Sequence, residues 1–185
     1  MLARAGSDAA VVVVGAVGHG PVGGALVGSV SRYLAVHQTG PLVVVRPTSS
    51  ESDRIVVGLD VCPSGVPALE LAQRRAELTG APVHALHVVH APDPFGAEPA
   101  AEADDRLLPR ALHDVVDAAR RAHPDVRLTV GVVAGRPAPA LVAAGADCAL
   151  LVLGARGRHP FSRPLLASVG QQVLHHAPCP VAIVR

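Results

Sequence analysis

At 185 residues the chain has room for one core of ordinary size plus a fragment, not for two full domains. Half of the residues are hydrophobic and 17% are charged, a globular balance, yet aromatics are only 2% and Trp is absent, so the core has to be built from Val, Leu and Ala. All 16 cationic side chains are Arg and the formal net charge is +1, so no whole-chain basic field argues for nucleic acid or an anionic membrane, and without Lys there is no Walker loop. The longest apolar runs, Val11 to Val14 and Ala149 to Leu153, are strand length and well below the roughly 18 residues of a membrane span. The N-terminus shows no secretory pattern, which makes the cytoplasm the expected compartment. Cys62, Cys148 and Cys179 are odd in number and widely spaced, which suits reduced thiols better than a disulfide framework.

In chain order, residues 1–47 read as strand, helix, strand, and the polar stretch 48–53 reads as a linker. Arg54 to Asp60 is a short β-branched run, as expected of a buried parallel strand, and Ser64 is placed to cap a helix from Ala68 to Leu78 that Gly80 stops. Val83 to Val89 is the second strand of this unit. Beyond a Pro-rich connector, Leu107 to Ala119 carry helical spacing, Val126 to Val133 is a strand, and Pro139 to Ala144 a short helix. Cys148 to Leu153 is the fourth strand; a glycine-bearing loop, a helix from Ser168 to about His176 and the strand Val181 to Val184 complete the chain. Such alternation predicts an α/β fold: a doubly wound, five-stranded parallel sheet with helices on both faces, Rossmann-like, plus the N-terminal β-α-β fragment. Ligands of such sheets sit beyond the strand carboxyl ends, where strand order reverses, so Asp60 and Gly154 should face one crevice if their strands are neighbours.

Within the first 46 residues, 2–46 repeat the last 45, residues 141–185, without a gap at a shift of 139. Gly15, Gly18, Gly28 and Ser29 have the spacing of Gly154, Gly157, Ala167 and Ser168, and His37, Pro41 and Arg46 meet His176, Pro180 and Arg185. With Ile55-Val56-Val57-Gly58-Leu59-Asp60, Gly135-Arg136-Pro137-Ala138 and His176-Ala177-Pro178-Cys179-Pro180-Val181, the chain resembles the universal stress protein family over nearly all its length. The resemblance implies that 1–47 correspond to the C-terminal part of an upstream domain and 54–185 to a complete domain.

The glycines allow positive φ and close approach of a ligand, and a serine at a helix start offers a hydroxyl and free amides to phosphate oxygens. The resemblance implies ATP, with Mg as a candidate companion: Asp60 at the adenosine end, the Val88 backbone at adenine, and Gly154, Gly157, Ala167, Ser168 and Val169 around ribose and phosphates. Two positions depart from the family pattern: Ala167 replaces its third glycine, and Cys62 stands where a glycine commonly occurs. The implied role is a stress-response module acting through nucleotide-dependent conformational or oligomeric change, not an efficient enzyme. Its partners are adenine nucleotide and a homodimer or pseudo-dimer mate joined through last-strand edges, Leu42 to Val45 beside Val181 to Val184, with no nucleic acid or membrane partner. The alternative is an interaction protein of the same fold without nucleotide. Arg156, Arg158 and Arg163 are secondary phosphate candidates, and His159 is the one loop group named for positioning water in weak hydrolysis. His84, His87 and His90 do not make a metal site, because residues 84 and 87 point to opposite faces of a strand.

Overall fold

A computed structural model describes residues 10–16, 27–48, 50–61, 64–90, 108–155 and 169–185. The N-terminal segment forms β1 (Val12–Gly15), α1 (Ser29–His37) and β2 (Leu42–Val45). The remainder forms β3 (Ile55–Gly58), α2 (Gly65–Thr79), β4 (Val83–His90), α3 (Arg110–Ala122), β5 (Leu128–Gly135), α4 (Pro137–Ala144), β6 (Leu150–Gly154), α5 (Val169–His176) and β7 (Val181–Val184). Gly80 ends α2 in the left-handed region (φ 73°), which glycine enters without a Cβ penalty. The start of α2 differs from expectation: Ser64 takes helical backbone angles (φ −72°, ψ −10°), and its side chain makes no capping bond. Helix α4 begins two residues earlier than the apolar spacing indicates, at Pro137, because proline's fixed φ suits the first helical position.

The sheet has seven strands rather than five, in the order β1-β2-β7-β6-β3-β4-β5. The added strands belong to the N-terminal segment, which joins the same sheet. Every pairing is parallel except β2 with β7, so the sheet is mixed. Alternate residues face opposite sides, which gives two cores. Val56, Leu151, Leu153, Val181 and Ile183 pack with α1, α4 and α5, whereas Ile55, Val57, Val152, Ala182 and Val184 pack with α2 and α3.

The junction of the two repeats is symmetric. Leu42 pairs with Ile183, Val43 with Ala182 and Val44 with Val181; since Val43 and Ala182 are equivalent residues of the repeat, a local twofold passes between them. Side chains follow the same relation. Arg46 donates to the carbonyls of Ala177 (2.6 Å) and Leu174 (2.5 Å) at the end of α5, and its counterpart Arg185 donates to Ala35 (3.0 Å) and Val36 (2.6 Å) in α1. Each guanidinium thus meets the negative end of the other copy's helix. The equivalent pairs Arg32 and Gln171, Ala35 and Leu174, and Val36 and His175 line the cleft between α1 and α5.

The repeats differ in what covers them. Val152 on β6 is fully buried beneath α2, while its equivalent Val13 on the sheet edge is 62% exposed. Val152→Ala should therefore cost about 2 kcal/mol in chemical denaturation, and Val13→Ala no more than about 0.5 kcal/mol. Similar losses for both would mean that the β1 face is covered in solution.

Candidate functional site

Strand β3 lies between β4 and β6, and the chain passes from it first to one side (β4, β5) and then to the other (β6, β7). This is the topological switch point. Register aligns Gly58 with Leu153, so Asp60, just beyond β3, and Gly154, the last residue of β6, emerge at the same end of adjacent strands. The first turn of α2 lies between them. A Cβ added to Gly65 would lie 3.1 Å from the Asp60 carbonyl oxygen, and one added to Gly154 would lie 2.7 Å from both the carbonyl oxygen and Oγ of Ser64.

That contact revises the reason for a glycine at 154. Among the described residues positive φ occurs at Gly80 and Gly135, not at Gly154. Glycine is required at 154 because the backbone and hydroxyl of Ser64 press against it, so its first neighbour is the protein itself.

Leu59, the residue before Asp60, is held from β4, in part by His87, which sequence reading sets aside as a metal ligand. Leu59 N–H donates to the Leu86 carbonyl (2.9 Å), and the Leu59 carbonyl accepts from Nδ1 of buried His87 (2.9 Å). The carbonyl can only accept, so the proton is on Nδ1. Val88 stands two residues beyond Leu86, past the end of the β3–β4 ladder, where β4 overshoots β3 toward the crevice. His84 lies apart, bonded through Nδ1 to Thr129 Oγ1 (3.0 Å).

Val169 is the first residue of α5 and packs on the α4–α5 side of the sheet. Asp60, Val88 and Gly154 thus cluster at the carboxyl ends of three neighbouring strands. Gly157, Ala167, Ser168, the three loop arginines, His159 and Cys62 lie outside the described residues.

The first copy shows the same connection. Ala16 N–H donates to Val45 O (2.8 Å) as Ala155 N–H does to Val184 O (2.6 Å). There Gly28, at the N-cap of α1, has φ −60° and ψ 158°, and Ser31 donates its hydroxyl to the Gly15 carbonyl (2.7 Å). The position equivalent to Ser31 is Gly170, which has no hydroxyl to make that bond.

The sequence profile of the Universal stress protein family matches residues 2–46 and 51–185. A universal stress protein of Mycobacterium tuberculosis strain H37Rv is 32% identical over 198 residues, covering 100% of this chain and 61% of the relative. The chain therefore spans about three fifths of the length of that relative. A universal stress protein structure from Archaeoglobus fulgidus superposes with a TM-score of 0.69 at 22% identity, over 100% of this chain and 63% of that one. A universal stress protein solved in complex with cAMP gives a TM-score of 0.55 at 26% identity, over 74% of this chain and 99% of that one. With its paired family matches and a doubly wound sheet of the same architecture, the chain belongs to the universal stress protein family.

Proposed function

We propose that residues 54–185 bind an adenine nucleotide, ATP in the first instance, and that the chain works as a nucleotide-responsive binding module rather than as an efficient enzyme. The observation that carries this reading is the meeting of Asp60 and Gly154 at the carboxyl ends of β3 and β6, the two strands of the switch point. The relative solved with cAMP supports the ligand class.

In this reading the Asp60 carboxylate accepts from ribose hydroxyls, Val88 offers its backbone to the adenine edge, and the segment from Gly154 through Gly157, Ala167 and Ser168 to Val169 surrounds the phosphates. Free amides in the first turn of α5 and the positive end of its dipole supply the attraction for anions. Two features of the fold fit such a ligand. Gly28, the sequence equivalent of Ala167, takes backbone angles at the N-cap of α1 that alanine also adopts readily. Gly170 lacks the hydroxyl that in the first copy ties the strand-end carbonyl to the helix.

Titration calorimetry with ATP, ADP, AMP and cAMP tests the assignment. Asp60→Ala should weaken ATP about tenfold or more, the equivalent of one charged polar contact of about 1.4 kcal/mol or above. Unchanged affinity in that variant would remove Asp60 from the site. No heat with any of the four nucleotides, and no nucleotide released from the purified protein on denaturation, would instead leave the interaction-protein reading.

A further inference from the structure

Cys148 and Cys179 are 31 positions apart, yet their sulfurs lie 3.5 Å from each other, both fully buried. Cys148 precedes β6 and follows the 3-10 turn Gly145–Asp147; Cys179 precedes β7, the strand paired with β6. Both sit at the amino ends of their strands, away from the crevice. The pair is not demanded by the repeat, which has Ala9 and Gly40 at the equivalent positions. Gly145 leaves room for it: a Cβ there would lie 3.1 Å from the Cys179 sulfur.

The two thiols are chemically unequal. The Cys148 thiol is pulled below its ordinary pKa chiefly because its ionised form accepts a hydrogen bond from Cys179, with a smaller contribution from Arg54. Cys179, hydrogen-bonded to Cys148 and desolvated by burial, is raised. Arg54 is placed by the Asp147 side chain (3.0 Å) and carbonyl, one residue from Cys148. The burial is shallow along the chain, since the preceding residues, Asp147 and Pro178, are both exposed. A local opening at these two positions would admit peroxide to the sulfurs while the sheet stays paired.

We propose that Cys148 and Cys179 form a reversible intrachain disulfide under peroxide, a redox modification site independent of the nucleotide reading. The Cys148 thiolate attacks one oxygen of hydrogen peroxide, the O–O bond breaks, and hydroxide leaves to take up the proton that Cys148 released. The Cys179 sulfur then attacks the resulting sulfenic sulfur, the S–O bond breaks, and the Cys179 proton departs with that oxygen as a second water. Two thiols and one peroxide thus yield one disulfide and two waters. The bond would tie together the two ends of the segment containing β6, the glycine-bearing loop and α5, beside the Arg46 contact that joins the repeats.

The test is to expose the reduced, full-length chain to hydrogen peroxide, block remaining thiols with iodoacetamide in denaturant, and map peptides without reduction. The expected result is loss of two of the three alkylatable thiols, one peptide pair linking Cys148 to Cys179, full recovery with dithiothreitol, and a melting temperature raised by about 5–10 °C in the oxidised form. Cys62→Ser should keep the linkage, and Cys148→Ser or Cys179→Ser should abolish it. Three thiols remaining after peroxide, a linkage through Cys62, or a bond between chains would each overturn the proposal. The peptide map of the unsubstituted chain decides the matter even if a serine variant fails to fold.

Discussion

Removing residues 1–50 should leave 51–185 folded and turn the protein into a homodimer. In the full chain β2 covers the free edge of β7, and α1 covers the apolar residues beneath it; Leu34, Leu42 and Val44 are all buried in the core that contains Leu174, Val181 and Ile183. Deletion uncovers both a strand edge and an apolar face, and the combination favours association. The geometry of a replacement is already present in the junction. Because Val43 and Ala182 are equivalent and lie on the local twofold, a second β7 can take the place of β2 in unchanged antiparallel register, centred on Ala182. Arg185 then meets the α5 end of the other copy, as Arg46 meets α5 within the present chain. Sedimentation velocity should show a dimer for the deletion variant at micromolar concentration. A well-folded variant that stays monomeric would sink the edge-pairing account, and one that cannot fold would place the first 50 residues inside the obligatory core.

The parts of this arrangement that were legible in the sequence are those carried by local pattern. Short apolar runs such as Ile55 to Gly58 and Leu150 to Gly154 mark parallel strands, and their alternation with helices implies the sheet and its switch point. The β2–β7 contact agrees with what the family resemblance implies, pairing through last-strand edges, and no local pattern in the sequence points to it. Side-chain relations across the junction were not legible. Nothing near Arg46 in sequence indicates that its partners are carbonyls 128 and 131 positions away. The same holds for Cys148 and Cys179: their wide spacing suits reduced thiols better than a disulfide framework and gives no sign that parallel β6 and β7 bring their amino ends together. His87 is a third case, because its bond to the Leu59 carbonyl depends on β4 lying beside β3 and on how far β4 runs past it. At Gly154 the sequence points to positive φ and close approach of a ligand, whereas the structure shows no positive φ there and a steric need to clear Ser64. A glycine that must avoid Ser64 looks the same in one dimension as one that must reach a ligand.

That difference makes Gly154→Ala the most informative single substitution. The added methyl would lie 2.7 Å from the Ser64 carbonyl oxygen and Oγ and 2.9 Å from its carbonyl carbon, and real Cβ atoms do not approach backbone so closely. Either α2 shifts outward at its first turn or the end of β6 bends away, and both moves disturb the point where Asp60 and Gly154 converge. Overpacking of this kind costs about 3 kcal/mol, roughly a hundredfold in the folding equilibrium, so the denaturation midpoint should fall clearly below that of the parent chain. Nucleotide affinity should fall with it, whereas Asp60→Ala should lower affinity with little change in stability. Adding Ser64→Gly to Gly154→Ala separates the two clashes, since it removes Oγ but leaves the carbonyl in place. Less than half of the lost stability should return. Full recovery would show that the hydroxyl alone required glycine at 154, and an undisturbed Gly154→Ala protein would mean that the two elements do not lie this close.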